Sequence, residues 1–420
     1  MLQRFVRRFI KVGRLQITDP GGAVSVYGDG SGPDIAVRLN GWWTPFRLAL
    51  EPSLTLGECY MDGSLVMERG DIYDLLALFG RNFDFDPNRQ TRQPAYKRLW
   101  FWALRHIRQI NNRVSARHNV HHHYDIANSF YRRFLDPDMQ YSCAYFAEPD
   151  MSLEAAQTAK KAHIASKLLL EPGMQVLDIG CGWGGLGLSL AERIAGGEVL
   201  GVTLSTEQLA VAQERAAARV AAEAEGANAR FELCDYRDVR GQFDRIVSVG
   251  MFEHVGQPHY QEYFDTVAKL LKNDGVAVIH SIGRRDEPGV TNPWIAKYIF
   301  PGGYIPALSE VLPAVERAGL WVTDVEVLRL HYAETLRIWR ERFLAQWDEI
   351  VADYDERFCR MFDFYFAVSE IAFRYGGHMV FQLQLTKRVD TVPLTRDYID
   401  SEGAPRPARG AALAAVSGGG

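Results

Sequence analysis

Gln175-Val176-Leu177-Asp178-Ile179-Gly180-Cys181-Gly182-Trp183-Gly184-Gly185 is the stretch that decides the fold. A short apolar run enters a glycine-rich turn, and residues 186–194 continue with helical spacing, as at the opening of a nucleotide-binding βαβ unit. Moving outward, 198–203 reads as a second strand and 206–225, rich in Ala, Gln and Glu, as a second helix. Residues 231–234, 243–249 and 275–280 extend the strand series, and 260–271 is a helix with Tyr263, Phe264, Val267 and Leu271 on one face. The expected class is α/β, a doubly wound Rossmann-like core. Upstream, 24–27 and 35–39 read as strands and 71–79 as a helix, which makes a smaller N-terminal α+β unit.

Gly180, Gly182 and Gly185 satisfy G-x-G-x-x-G, a pattern that alone does not choose between NAD and another adenosine cofactor. The flanks choose. Asp178, two residues before the first glycine, would repel a pyrophosphate but suits S-adenosylmethionine (SAM), which brings an ammonium and a sulfonium. A nicotinamide cofactor also wants an acid at the end of the second strand, where this chain has Thr203-Leu204-Ser205. The spacing and charge therefore favour a small-molecule SAM methyltransferase core.

The chain has 420 residues, enough for two or three domains, and 47% hydrophobic with 24% charged residues is the composition of a packed body. A net charge of −5 gives no whole-molecule field for nucleic acid, so no nucleic-acid partner is expected. No apolar run reaches the roughly 18 residues that span a bilayer, and arginines interrupt the apolar residues at the N-terminus, so neither a signal peptide nor a transmembrane helix is expected. Five scattered cysteines without a CxxC pair argue against disulfides and a cysteine zinc site, and for a cytoplasmic location.

Charge is uneven along the chain. Residues 87–124 contain no acid but hold Arg89, Arg92, Lys97, Arg98, Arg105, Arg108, Arg113 and Arg117, around an apolar stripe from Trp100 through Ile107 and Ile110 to Val114. The first helix-like segment repeats this, with Leu2, Phe5, Val6 and Phe9 on one face and Arg4, Arg7, Arg8, Lys11 and Arg14 before the first acid, Asp19. Such helices suit an anionic membrane surface, unless their stripes pack on the protein's own core. The expected organisation is 1–90 as a lipid-binding α+β domain, 91–120 as a basic amphipathic linker, 121–395 as the catalytic domain and 396–420 as a disordered tail.

Seven ordered blocks carry a family resemblance: Tyr141-Ser142-Cys143-Ala144-Tyr145-Phe146, the 178–185 loop, Gly201-Val202-Thr203-Leu204-Ser205, Phe252-Glu253-His254-Val255-Gly256, His280-Ser281-Ile282-Gly283, Tyr298-Ile299-Phe300-Pro301-Gly302-Gly303 and His331-Tyr332. Over about 122–388 they resemble cyclopropane-fatty-acyl-phospholipid synthases and mycolic acid cyclopropane synthases. The resemblance implies methylene transfer from SAM onto a cis double bond of an acyl chain in a membrane phospholipid, at the inner face of the cytoplasmic membrane, and makes a homodimer plausible. It implies that SAM is surrounded by Tyr141, Ser142, Asp178, Gly180, Cys181, Gly182, Trp183, Gly184, Gly185, Thr203, Gln208, Tyr236 and Arg237. It further implies a bicarbonate ion as the base, held by Cys143, Glu253, His280, Ile282 and Tyr332, with Cys143 and Ile282 offering backbone groups.

An alkene is a poor nucleophile, so methyl transfer needs a dry pocket and leaves a carbocation. Tyr145, Phe146, Phe252, Tyr298, Phe300 and Tyr304 are candidates to shelter it. Ser369 stands where many members of the family have a cysteine; its hydroxyl can still donate to an anion, or it marks a product that is methylated without ring closure. A lipid-binding protein without catalysis is the rival from another class. His121-His122-His123 is not expected to bind metal, because adjacent histidines cannot converge on one ion. His254 is expected as scaffold, Cys181, Cys234 and Cys359 as packing residues. From the residues alone, Glu253 and His280 read first as a buried polar pair that merely closes a pocket, and the family blocks turn that reading to function.

Overall fold

The computed structural model describes residues 2–82, 127–222 and 228–400. The N-terminal unit contains α1 (Leu2–Phe9), β1 (Arg14–Thr18), β2 (Val24–Tyr27), β3 (Asp34–Leu39), α2 (Thr44–Leu50), α3 (Pro52–Met61), β4 (Leu65–Arg69) and α4 (Ile72–Asn82). Its sheet runs β2-β1-β3-β4, with β1 and β3 parallel and the other pairs antiparallel. Pro45 and Pro52 open α2 and α3, where a missing N–H costs nothing. The stripe of α1 turns inward: Val6 and the following Ile10 are buried and Leu2 and Phe9 pack against the same core, while Arg4, Arg7 and Arg8 stay exposed. The second basic segment, 87–124, and the three histidines within it lie outside the described residues.

The larger unit runs α5 (Asn128–Tyr131), α6 (Leu153–Leu168), β5 (Gln175–Ile179), α7 (Gly185–Ala191), β6 (Glu198–Thr203), α8 (Thr206–Ala221), β7 (Asn228–Leu233), β8 (Phe243–Val249), α9 (Tyr260–Leu270) and β9 (Leu271–Arg284). It continues through α10 (Pro293–Tyr298), α11 (Leu308–Arg317), β10 (Trp321–Leu328), α12 (His331–Ala345), α13 (Trp347–Asp353), α14 (Glu356–Arg374), β11 (His378–Thr386) and α15 (Asp397–Asp400). Seven strands form one sheet in the order β10-β11-β9-β8-β5-β6-β7. It is parallel from β9 to β7, and β11 and β10 add an antiparallel edge. Between β5 and β8 the winding direction reverses, and the loops after those strands open the crevice where α/β sheets bind ligands.

Gly184 shows how tightly the first turn is built. Its φ is +82°, and a Cβ there would lie 2.9 Å from the Phe231 ring and 3.0 Å from Ala212 Cβ. Its lack of a side chain lets α7 close on β7 and α8. Gly184→Ala is therefore expected to lower stability by about 2–3 kcal/mol, read as a fall in the thermal midpoint.

The two units share a core, with α14 packing on α3 and α4. At that contact Arg340 donates to Asp363 (2.7 Å) and Asp71 (2.9 Å), and Tyr60 donates its hydroxyl to Asp363 (2.6 Å). Gly57 leaves room for the Trp294 indole and the Phe364 ring. Residues 396–400, assigned from sequence to the tail, pack instead: Arg396 pairs with Asp324 (2.7 Å), Tyr398 donates to Gln384 (2.9 Å), and Ile399 is buried. Polar and apolar anchors within these five residues outweigh the coil-like composition that follows.

Candidate functional site

The crevice at the switch point is lined by the loop after β5, the start of α8, the 234–237 turn, the 249–255 turn after β8, and the 139–142 segment before α6. Of the residues expected around SAM, Tyr141, Ser142, Asp178, Gly180, Cys181, Gly182, Trp183, Gly185, Thr203, Gln208, Tyr236 and Arg237 line it. Gly184 does not, because it faces Phe231 and Ala212. Gly182, at φ +55°, has nothing within 4 Å of where a Cβ would stand, so its backbone is open to an occupant.

The polar groups in this cleft are held in place. Thr203 Oγ1 donates to Gln208 Oε1 (3.5 Å), and Ser205 caps α8 by accepting from Gln208 N (3.3 Å). Trp183 Nε1 donates to Asn128 Oδ1 (2.8 Å). Arg237 is committed to Asp235 through two bonds of 2.8 and 2.6 Å, so the pair presents little free charge. Asp178 is different. It is fully buried, burial pushes its carboxyl up to about 7, and its Oδ2 has no hydrogen-bond partner. An orphan carboxylate oxygen beside an open glycine loop fits a cation-bearing cofactor, because a bound ammonium would satisfy it.

Lys160 joins this cleft to its neighbour. The ammonium on α6 is wholly buried and donates to Gln140 Oε1 (2.6 Å) and Ser142 Oγ (2.8 Å), both of which line the crevice. Its charge also bears on Asp178, Cys143 and His280. Nothing in the sequence marked it, since a lysine on a mixed helix reads as a solvent-facing charge. Met139, also in the lining, is held in the left-handed region at φ +57°.

The second cluster lies on the β8–β9 side. Ile282 N donates to Glu253 Oε1 (2.6 Å), while Glu253 Oε2 is buried without a partner, and burial pushes this carboxyl up to about 7. His280 sits two residues earlier on the same face of β9; burial holds it neutral, down at about 3. Gln382, paired with it across the β9–β11 ladder, places Nε2 3.1 Å from His280 Nδ1. With the amide donating, the ring proton stands on Nε2. The Ile282 N–H is thus taken by Glu253. Burial pushes the Cys143 thiol up and its Sγ donates to Ala144 O, which leaves the backbone to offer any polar contact.

An aromatic row runs from the crevice into the helices beside it. Trp339 stacks on Tyr141 (5.2 Å) and meets Tyr332 (5.8 Å), which meets Phe373 (5.1 Å). Tyr141 shares a 3.1 Å hydroxyl contact with Tyr365, whose ring meets Phe300 (5.8 Å), and Phe300 meets His254 (5.9 Å) in the crevice lining. Ser369 is half-buried on α14 at the four-residue step between Tyr365 and Phe373, so it belongs to this row.

The sequence missed Tyr365 and Trp339 because both read as core positions of helices. Among the aromatic candidates, Phe300 joins the row, but Phe252 packs with Tyr260, Tyr263 and Phe264, and Tyr304 is buried with its hydroxyl on Glu310. Tyr298 bonds Glu58 of the N-terminal unit instead (2.9 Å), and Tyr145 stacks between His163 and His331 with Phe146 near the latter. These are core and interface roles, which aromatic spacing alone does not separate from a pocket lining. His254, expected as scaffold, lines the crevice with its ring held neutral by burial, down at about 4.

Residues 111–383 match the family described as mycolic acid cyclopropane synthetase. The chain is 40% identical over 365 residues to the cyclopropane-fatty-acyl-phospholipid synthase of Escherichia coli, covering 86% of this chain and 90% of that one. It is also 40% identical over 290 residues to the tuberculostearic acid methyltransferase UfaA1 of Mycobacterium tuberculosis, 66% of each. Among solved structures it is similar to the cyclopropane synthase MmaA2 from Mycobacterium tuberculosis and to the mycolic acid cyclopropane synthase CmaA1 in complex with SAH and CTAB. Each has 34% identity and a TM-score of 0.59, covering 64% of this chain and 97% of theirs.

Proposed function

The chain belongs to the mycolic acid cyclopropane synthetase family, and on that premise we propose that it transfers a methylene group from SAM to the cis double bond of an unsaturated acyl chain in a membrane phospholipid, forming a cyclopropane. The observation that carries this reading is the pairing of two orphan buried carboxylate oxygens, Asp178 Oδ2 in the glycine-lined crevice and Glu253 Oε2 in the base cluster, with an aromatic wall between crevice and helices. When bound, SAM supplies an electrophilic methyl group. Asp178, Ser142 and Gln208 are the residues to hold it.

The rest is work for this chain's own side chains. Tyr141, Phe300, Trp339 and Tyr365 exclude water and turn ring faces toward positive charge developing on the acyl chain. Ring closure requires the loss of one proton from the transferred carbon. A small anion such as bicarbonate would supply the base for it, and Glu253, His280, Tyr332 and the Cys143 backbone are the groups that would hold that anion, the carboxylate as acceptor and the imidazole and phenol as donors. Gln382 fixes the His280 ring so that its proton points inward. Residues 1–90 serve as the lipid-binding unit of a homodimer lying on the inner face of the cytoplasmic membrane.

Methylation without ring closure is a second reading, favoured by the likeness to a tuberculostearic acid methyltransferase and by Ser369 in the aromatic row. One assay separates them: purified protein, methyl-labelled SAM and vesicles of a monounsaturated phospholipid, with products read by mass and by ozonolysis. Cyclopropanation adds one CH2 and leaves no ozone-cleavable bond; a methylene or alkene product that still cleaves would overturn ring closure, and unlabelled lipid would overturn both readings.

A further inference from the structure

We infer that Trp42, Trp43, Phe46 and Leu50 form the surface that inserts into the headgroup region of an anionic phospholipid bilayer, an inference that rests on the lipid-substrate reading above. The four residues lie within nine positions, and they are 76%, 76%, 49% and 61% exposed. Trp42 and Trp43 are the two most exposed aromatic side chains among the described residues. Trp43, Phe46 and Leu50 follow steps of three and four, so they share one side of α2, while Thr44 and Leu48 bury the opposite side. Trp43 and Phe46 meet edge to face at 6.1 Å, and Trp42 lies over Gly21 in the β1–β2 turn. Exposed apolar residues on and beside one helix face, two of them tryptophans, are what the membrane interface selects, because indole is at home at headgroup depth.

Charge identifies the occupant as a bilayer rather than an apolar protein groove. α1 packs beside α2 and carries exposed Arg4, Arg7 and Arg8, with Lys11 just beyond, and no acid precedes Asp19. Arg47 of α2 is neutralised by Glu58 and Asp62, and so adds little. Insertion of the apolar stripe alongside basic residues that contact lipid phosphates gives two additive terms, one of them sensitive to salt. The apolar stripe of α1 cannot play the inserting part, since Val6 and Ile10 are already buried in the core.

The test uses the full chain and phosphatidylcholine vesicles with and without phosphatidylglycerol, comparing the parent with Trp42→Ser/Trp43→Ser and with Phe46→Ser. Expected results are binding of the parent to the anionic vesicles, a loss of about tenfold or more in the double variant, and quenching of parent tryptophan fluorescence by bromine-labelled acyl chains that the double variant lacks. Unchanged binding of S-adenosylhomocysteine shows that the variants fold. Vesicle binding equal in parent and variants overturns the inference, as does a variant that changes only the sedimentation coefficient, which would make the patch a subunit contact. Transfer to phospholipid in detergent micelles reports separately on the enzymatic reading: labelled lipid with no patch effect sinks the docking surface alone, and patch-dependent binding with no labelled lipid sinks the reaction alone.

Discussion

Glu253→Gln is expected to lose lipid methylenation by about a hundred- to ten-thousand-fold while binding S-adenosylhomocysteine like the parent. Glutamine keeps the shape and can still accept from Ile282 N through Oε1, so the backbone bond at 2.6 Å survives. What it replaces is the unpartnered Oε2 by an amide that cannot accept a proton. A purely structural carboxylate would instead predict a variant with ordinary turnover.

The same substitution has a stability signature of known sign. Burial raises the Glu253 carboxyl from 4.5 to about 7, so the folded protein holds this proton more tightly than the unfolded chain. Stability from this group therefore falls as pH climbs through that window, and above it the buried charge costs roughly 3 kcal/mol. The Gln variant carries no such cost. Its melting temperature is expected to exceed the parent's at pH 8, with the difference shrinking toward pH 4, as thermal denaturation at the two pH values will show.

How much of this site was legible beforehand follows from the kind of information each residue carries. The strand 175–179 and the turn after it could be read directly, because glycine spacing and a short apolar run are local properties. Glu253, His280 and Tyr332 rested on family motifs, since they stand on a turn after β8, on β9 and on α12, far apart in the sequence. The smaller sheet was half seen: β2 and β3 alternate clearly, but β1 (Arg14–Thr18) and β4 (Leu65–Arg69) carry arginines and glutamate that mask them. The strand expected at 275–280 grew to Leu271–Arg284, because pairing with both β8 and β11 supports residues that composition alone would leave in loops. Trp42 and Trp43 drew no attention because exposure is a tertiary property; a pair of tryptophans reads as core until the fold leaves them outside.

Lys160→Met is the second large effect, and it separates anchoring from charge. Lys160 is the buried donor that ties Gln140 and Ser142 into the crevice wall, and methionine keeps its volume while leaving both acceptors unsatisfied. Affinity for S-adenosylhomocysteine is expected to fall about ten- to a hundredfold by calorimetry. Burial lowers the lysine from 10.5 to about 8, so the folded protein gives up a proton that the unfolded chain keeps, and parental stability from this group rises as pH goes from about 8 to 10.5. The variant lacks that slope. A neutral amine can still donate to both partners, so if anchoring is the role, parental affinity stays level across pH 8 and only the variant binds weakly. A parental affinity that collapses as the ammonium deprotonates would move the role from the crevice wall to the charge itself.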